Sequence, residues 1–358
     1  MSELVFVVPG RLDQLTGGYL YDRNIVEGLR ARGRRVRVIE LSVHADQAAV
    51  FAAIPDGATI VVDGLAIADL QQMVAAEACR LRLVALVHHP LAAETGLSRT
   101  QARQAALLEA SLLSRFRGVL CPSRKTASAV VSYGVSADRI AVVPPGTATP
   151  PAYYRRSRRG PGRSLLCVAS LVPRKGHKVL IEALARIRYM DWELLCIGSL
   201  DRDPATTRSV RGTISAAGLG RRVTLAGEWL PEMLTRAYRA ADIFVLPSFH
   251  EGYGMAFAEA MAHGVPIIAT MAGAIPETVP HNAGLLVPPG DLAALARALR
   301  RVLSEPSLAA RLAVGSRAQG ARLPTWSHTT KQWESALDWL AKLDPPARPA
   351  LAEQLRIV

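Results

Sequence analysis

Residues 243–264 read IFVLPSFHEGYGMAFAEAMAHG, and the order of that stretch decides the fold class. Ile243 to Leu246 form an apolar run of the length expected for a buried strand. Pro247 and Ser248 end it, a turn with Gly252 and Gly254 follows, and Met255, Ala256, Ala258, Ala260, Met261 and Ala262 supply good helix formers. Gly264 and Pro266 stop the helix. A strand, a glycine turn and a helix aim backbone N–H groups and the positive end of a helix dipole at one point. Two carboxylates flank the turn, Glu251 on it and Glu259 inside the helix. By itself the segment leaves two readings open: a phosphate or sugar site, and an ordinary α/β junction with a glutamate favourably placed on a dipole.

The same unit recurs on both sides. Downstream of 164 the pattern predicts strands at 165–170, 193–197, 223–226, 266–269 and 284–287, with helices at 179–187, 232–241 and 292–303 and a turn at 273–277. Upstream it predicts strands at 4–8, 36–41, 59–62, 83–87, 118–121 and 140–143. Leu20, Ile25, Val26 and Leu29 mark a helix stopped by Gly33, residues 99–114 mark another, and Ser123 opens a third. Repeated βα units argue for parallel, doubly wound sheets. At 358 residues the chain is too long for one core. Prolines 150, 151 and 161 and the arginines at 155, 156, 158, 159 and 163 mark a linker. The expected division is therefore 1–154, a linker at 155–164, 165–326, a late helix over 327–343 and a tail at 344–358.

Lys and Arg number 43 against 30 Asp and Glu, a net charge of +13. The arginines are scattered and aromatics make up only 5% of the chain, so nucleic acid is not an expected partner. An anionic membrane face, an anionic substrate and arginine-biased solvated helix faces remain as uses of the charge. No apolar run reaches the length of a membrane helix. Residues 4–8 read as a first strand and not as part of a leader, and the expectation is a cytoplasmic protein, with peripheral contact at the inner membrane face as an alternative. Cys79, Cys121, Cys167 and Cys196 form no C-x-x-C pair, three of them fall in strands, and all read as small buried thiols.

Glu251, Gly252, Tyr253, Gly254 and Glu259 match, position for position, the E, G-[FY]-G, E signature of the family 4 glycosyltransferases, which the chain resembles over nearly its whole length. The resemblance implies the GT-B fold: two Rossmann-like, doubly wound parallel-sheet domains facing a central cleft, with the late helix crossing back to the first domain. It implies a retaining transfer of a sugar from a nucleoside-diphosphate sugar to an acceptor hydroxyl, a UDP-sugar being favoured over a GDP-sugar. No cofactor and no metal are expected, the nucleotide-sugar being a co-substrate. Gly17 and Gly18 take the place of the family's N-terminal Gly-Gly near the donor phosphates. His89, in His89-Pro90-Leu91-Ala92-Ala93, has the appearance of the family's acceptor-side histidine and is favoured over His88.

In the same terms Lys175 and Arg174 stabilise the departing diphosphate, a task suited to fixed cations at a helix start. Glu251 binds the transferred sugar, Glu259 the ribose hydroxyls, and the amides of Tyr253, Gly254, Met255 and Ala256 the phosphates or sugar. Gly198, Trp229 and Leu230 lie where the family frames the nucleotide, although Trp229 reads equally as a core residue. One departure stands out: Ser170 occupies the position of a family arginine, and a serine supplies neither the charge nor the bidentate fork. Asp201-Arg202-Asp203 resembles a metal-binding D-x-D but reads as a solvated loop. The acceptor is unassigned, a soluble small molecule or saccharide being favoured over a lipid. The alternative function is a basic membrane- or nucleic-acid-binding protein that keeps the fold without catalysis.

Overall fold

The computed structural model describes residues 3–41, 47–148 and 164–345. The chain divides into two compact units, one of Met1–Gly146 with Pro324–Val358 and one of Thr147–Leu323. The arginine-rich stretch at 155–163 and the tail from 346 lie outside the described residues.

The first unit holds a six-stranded sheet of β1 (Leu4–Val8), β2 (Val36–Glu40), β3 (Thr59–Asp63), β4 (Arg82–Leu86), β5 (Gly118–Cys121) and β6 (Ile140–Val142). Its order is β2-β1-β3-β4-β5-β6, and every pairing is parallel. Both faces of such a sheet are covered, which is why β1 is buried at every residue instead of alternating. The helix Gly17–Ala31 follows β1 and buries Ile25, Val26 and Leu29, and Gly33 just beyond it has φ +83°, a left-handed stop that favours glycine. The helix Trp326–Leu340, far along the chain, packs on this helix. A Cβ at Gly28 would lie 2.3 Å from Thr330 Oγ1, so only glycine permits the approach. Trp333, fully buried, stacks on Phe6 at 6.0 Å between ring centroids.

The second unit holds β7 (Ser164–Val168), β8 (Glu193–Ile197), β9 (Val223–Leu225), β10 (Ile243–Leu246), β11 (Ile267–Thr270) and β12 (Gly284–Val287). The order is β12-β11-β10-β7-β8-β9, again all parallel. Its core centres on Phe244, Phe257, Trp192 and the aliphatic residues of β7, β10 and β11. Burying each large apolar side chain contributes about 1.5–3 kcal/mol. In both sheets the order reverses beside the first strand, between β1 and β3 and between β10 and β7. The carboxyl ends of strands at such a reversal leave a crevice where ligands bind in open α/β sheets.

The structure departs from the sequence reading in a few places. Residues 273–277 are not a plain turn, because Ile275–Thr278 closes into a short helix with Pro276 in its first turn. Cys79 is exposed, whereas Cys121, Cys167 and Cys196 are buried. The helices Gln47–Ala52, Gly64–Ile67, Gln71–Glu77, Pro204–Ala216 and Pro306–Gly320 carry no prediction in the sequence reading.

Candidate active site

In the second unit the site grows from the loops after β7 and β10, the two strands that flank the reversal. After β7 the chain makes a single turn, Pro173–Lys175, and Gly176 follows with φ +71°. A Cβ there would lie 2.3 Å from the Pro247 carbonyl oxygen, so glycine lets this loop press against the end of β10. The Phe249 amide donates to the Arg174 carbonyl at 2.7 Å and stitches the two loops together. Lys175 Nζ then lies 2.6 Å from Glu251 Oε1 and 2.9 Å from Oε2. Arg174 Nη1 donates to the His250 carbonyl at 2.9 Å and stands 3.6 Å from Glu251 Oε2. Ser248 Oγ donates to Glu251 Oε1 at 2.6 Å.

This is two cations around one buried carboxylate. Burial opposes the charge on Glu251, but Lys175 and Arg174 outweigh it and hold the carboxyl below its ordinary range. Burial also draws the Lys175 ammonium below its usual value, with Glu251 pulling the other way.

Beside this cluster Gly254, at φ +91°, caps the helix Met255–Ala262, whose first turn carries no acidic residue and no capping side chain. A helix end of that kind attracts an anion. The Tyr253 carbonyl accepts from Thr278 Oγ1 at 2.6 Å, and Gly273 backs onto the Glu251 carbonyl, so the turn Glu251–Gly254 is held from behind. Glu259, in the same helix, accepts from Tyr238 Oη at 2.8 Å, and burial pushes its carboxyl up. Tyr238 in turn stacks on His263 at 5.3 Å.

Gly198, at φ +147°, ends β8; its amide donates to Gly227 at 2.9 Å, and a Cβ would collide with Ala169. Ser170 is partly buried, with its carbonyl accepting from Val172 at 2.9 Å. Trp229 packs against the core, whereas Leu230 is 64% exposed. Asp203 accepts from the Thr206 amide at 2.9 Å and caps the helix Pro204–Ala216, which accounts for one carboxylate of the D-x-D.

In the first unit the corresponding crevice lies at the ends of β1, β3 and β4. Gly17 and Gly18 are the first two residues of the helix Gly17–Ala31, and a Cβ at Gly18 would stand 3.2 Å from the His88 ring. His88 Nε2 lies 2.9 Å from Asp22 Oδ1 and 3.6 Å from Asp63 Oδ2. Burial works against a charge on His88, but the two carboxylates raise it to about 10. Burial pushes Asp22 up to about 7 in spite of His88, while Asp63, which also accepts from the Leu65 amide at 2.7 Å, is held down. His89 points elsewhere, with Nε2 3.3 Å from Glu94 Oε2. Its loop is tied by Glu109, buried on the helix Arg99–Leu113, which accepts from the Leu91 amide at 2.9 Å. Burial pushes the Glu109 carboxyl up to about 7.

Within the second unit the structure therefore brings together Arg174, Lys175 and Glu251, with Glu259 on the neighbouring helix. Within the first it brings together Gly17, Gly18 and His88, and sets His89 in a separate pair. Asp22, Asp63, Glu109 and Tyr238 are not singled out as site residues by the sequence reading, and Ser248 enters it only as the end of a strand.

Residues 162–305 match the family described as glycosyl transferases group 1, and residues 58–149 match glycosyltransferase family 4. The MMP α-(1→4)-mannosyltransferase of Mycolicibacterium hassiacum is 29% identical over 70% of this chain and 63% of its own length. A D-inositol 3-phosphate glycosyltransferase of Corynebacterium efficiens is 33% identical over 58% of this chain and 53% of its own. The match thus spans between about half and two thirds of these relatives. Among solved structures, sucrose-phosphate synthase from Thermosynechococcus elongatus superposes with a TM-score of 0.78 at 24% identity, over 95% of this chain and 99% of that one. HepE of Anabaena, solved in complex with UDP-glucose, gives 0.74 at 19% identity over 95% and 100%. These two likenesses establish the GT-B fold.

Proposed function

Because the chain belongs to the family 4 glycosyltransferases of the GT-B fold, we propose that it moves a sugar from a nucleoside-diphosphate sugar to a hydroxyl of its acceptor. In this reading the anomeric configuration is retained, a UDP-sugar is preferred to a GDP-sugar, and no metal takes part in the transfer. The observation that carries it is the pair of cations, Lys175 and Arg174, held on buried Glu251 beside the unblocked start of the helix Met255–Ala262.

The leaving diphosphate gains charge as the glycosidic bond breaks, and preorganised cations and amides at that point lower the barrier. Glu251 keeps both cations in place before the donor arrives. The diphosphate then takes over the cations, and the carboxylate is released to accept a hydroxyl of the transferred sugar. Arg174 supplies the positive charge that Ser170 does not. Glu259, oriented by Tyr238 through one oxygen, offers its other to the ribose hydroxyls, and Trp229 and Leu230 frame the base. Glu251 and Glu259 bind separate parts of the donor, so they are not a hydrolase pair flanking one bond. In the first unit Gly17 and Gly18 permit close approach of the donor, and His89 serves the acceptor side. The acceptor is a soluble small molecule or saccharide in this reading.

Calorimetric titration with UDP and with GDP, in the presence of a chelator, tests the donor assignment. The expected result is binding of both with UDP the tighter; binding of neither overturns the proposal. NMR of the product's anomeric proton tests retention. If Arg174→Ala leaves turnover and donor affinity unchanged, Arg174 has no part in holding the diphosphate. A protein that keeps the fold without catalysis would instead bind RNA or anionic vesicles with a steep salt dependence and release no nucleotide from any donor.

A further inference from the structure

In the first unit the ring of His88, just beyond β4, is held more firmly than packing alone requires. Asp22 on the helix Gly17–Ala31 and Asp63 at the end of β3 both face its Nε2, at 2.9 Å and 3.6 Å. Tyr21 meets the ring edge-on at 5.4 Å between centroids, and its own Oη donates to the Val143 carbonyl at 2.9 Å. The backbone of Gly18 lies over Cδ2. Both carboxylates are buried, and Asp22 Oδ2 has no hydrogen-bond partner among the described residues. The His88 side chain keeps 11% exposure, and its Nδ1 makes no hydrogen bond among the described residues.

Such a cluster is a poor source of stability. Taking these ions out of water is costly, and apolar residues of similar volume would join β3, β4 and the helix at least as well. Perturbed titratable groups gather at functional sites. This one stands where the order of the first sheet reverses, beside the glycines of the first helical turn. The titratable groups facing the ring are Asp22 and Tyr21 from the helix and Asp63 from β3. Burial opposes a charge on the ring, but Asp22 and Asp63 outweigh it.

We infer that Asp22 and Asp63 are positioning residues for the transfer: they lock His88 as an imidazolium whose Nδ1–H donates to a hydroxyl of the bound sugar, and so bar it from acting as a base. The inference rests on the nucleotide-sugar reading above. A neutral histidine that gives its Nε2–H to a carboxylate offers Nδ1 as an acceptor. With two carboxylates facing Nε2 the ring keeps both protons, and Nδ1 becomes a donor only. The cation is balanced within the cluster, so its remaining N–H suits an uncharged hydroxyl and leaves the diphosphate to Lys175 and Arg174. His89, one residue on, faces Glu94 instead.

The test pairs a spectrum of the full chain with kinetics. Nitrogen NMR of histidine-labelled protein, with the His88 signals assigned by their loss in His88→Gln, reads the ring directly. Both ring nitrogens should stay protonated well above the ordinary histidine value of about 6.5, and in Asp22→Asn and Asp63→Asn the ring should lose a proton nearer that value. Turnover is read as UDP release from the UDP-sugar that the wild type consumes fastest in a donor panel. At saturating donor each variant should lower kcat by about tenfold or more at alkaline pH, less than the loss of a whole preorganised group. The variants should show a falling limb as pH rises that the wild type lacks, while calorimetric affinity for UDP is unchanged. A role confined to stability would shift urea unfolding and leave kcat and its pH profile as they are. A wild-type His88 that is neutral at pH 7 overturns the inference, and so do folded variants with unaltered kcat and pH profile. A wild type that neither binds UDP nor releases it from any donor instead defeats the nucleotide-sugar reading, and the inference falls with it.

Discussion

The two crevices are built on the same plan and charged in opposite senses. Each opens where its sheet order reverses, and each places a buried ionic cluster at the strand ends. In the second unit one carboxylate, Glu251, holds two cations, Lys175 and Arg174. In the first, one imidazole, His88, is held by two carboxylates, Asp22 and Asp63. The difference separates what the halves are suited to do. A surplus of positive charge stabilises a diphosphate, whereas a surplus of negative charge keeps a histidine protonated and fixes the ring beneath Gly18. The same scaffold thus carries a surplus of positive charge in one cluster and of negative charge in the other through a few residues.

The sharpest way to break the contrast is to remove the cation at its centre. Lys175→Ala should lower turnover by about a hundred- to a thousand-fold, the usual cost of losing a preorganised group at a developing charge. Steady-state kinetics at saturating donor measure this, with circular dichroism to confirm folding. An unchanged kcat would remove Lys175 from the chemistry. In the first unit His88→Ala leaves Asp22 and Asp63 facing each other in a buried site. Breaking a buried ion pair in this way costs about 3–5 kcal/mol, read from urea unfolding. A loss below about 1 kcal/mol would class the cluster with exposed pairs.

Individual carboxyls of the two units should also respond to pH in opposite directions. Glu109 and Asp22 are raised to about 7 by burial, so the folded chain holds their protons more tightly than the unfolded chain does. Their contribution is complete below the ordinary carboxylate pKa and is lost as pH rises toward 7. Glu251 is held below its ordinary range, so its contribution is present above that range and is lost as pH falls through its folded value. Glu109→Gln should flatten the decline in stability between about pH 4.5 and 7, removing up to about 3 kcal/mol of pH dependence. Unfolding titrations across that window measure it, and an unaltered slope would place the proton elsewhere. The smallest effect is at Tyr238→Phe, which removes one hydrogen bond to Glu259. The expected result is a rise of about two- to tenfold in donor KM with kcat unchanged. A fall in kcat instead would move Tyr238 from orienting the donor to the chemical step.

Periodicity carried the strand pattern well, because buried parallel strands are short apolar runs and both sheets consist of them. It gave no prediction for the helix Pro306–Gly320, which contains Gly315 and ends at Gly320. In the structure a Cβ at Gly315 would lie 1.9 Å from the Asn282 carbonyl oxygen, and one at Gly320 2.4 Å from that of Met261, so both glycines serve close packing. The grouping of Arg174, Lys175, Glu251 and Glu259 was legible because they sit in two short motifs. The first-unit cluster was not. Asp22, Asp63 and His88 come from a helix, the end of β3 and the loop after β4, and only the β1-β3-β4 neighbourhood makes them one group. Sequence spacing holds no record of such a neighbourhood.

The packing of Trp333 on Phe6 and of Thr330 on Gly28 has a consequence for how the protein is made. The first sheet is synthesised early, yet the helix that covers its opening residues follows only after the whole second unit. While the second unit emerges and folds, the face around Phe6 and Gly28 stays bare on the nascent chain, since domains fold as units during synthesis. Sealing it waits for that helix, so a chain stalled before Trp326 carries one finished half and one that is exposed to chaperones and proteases.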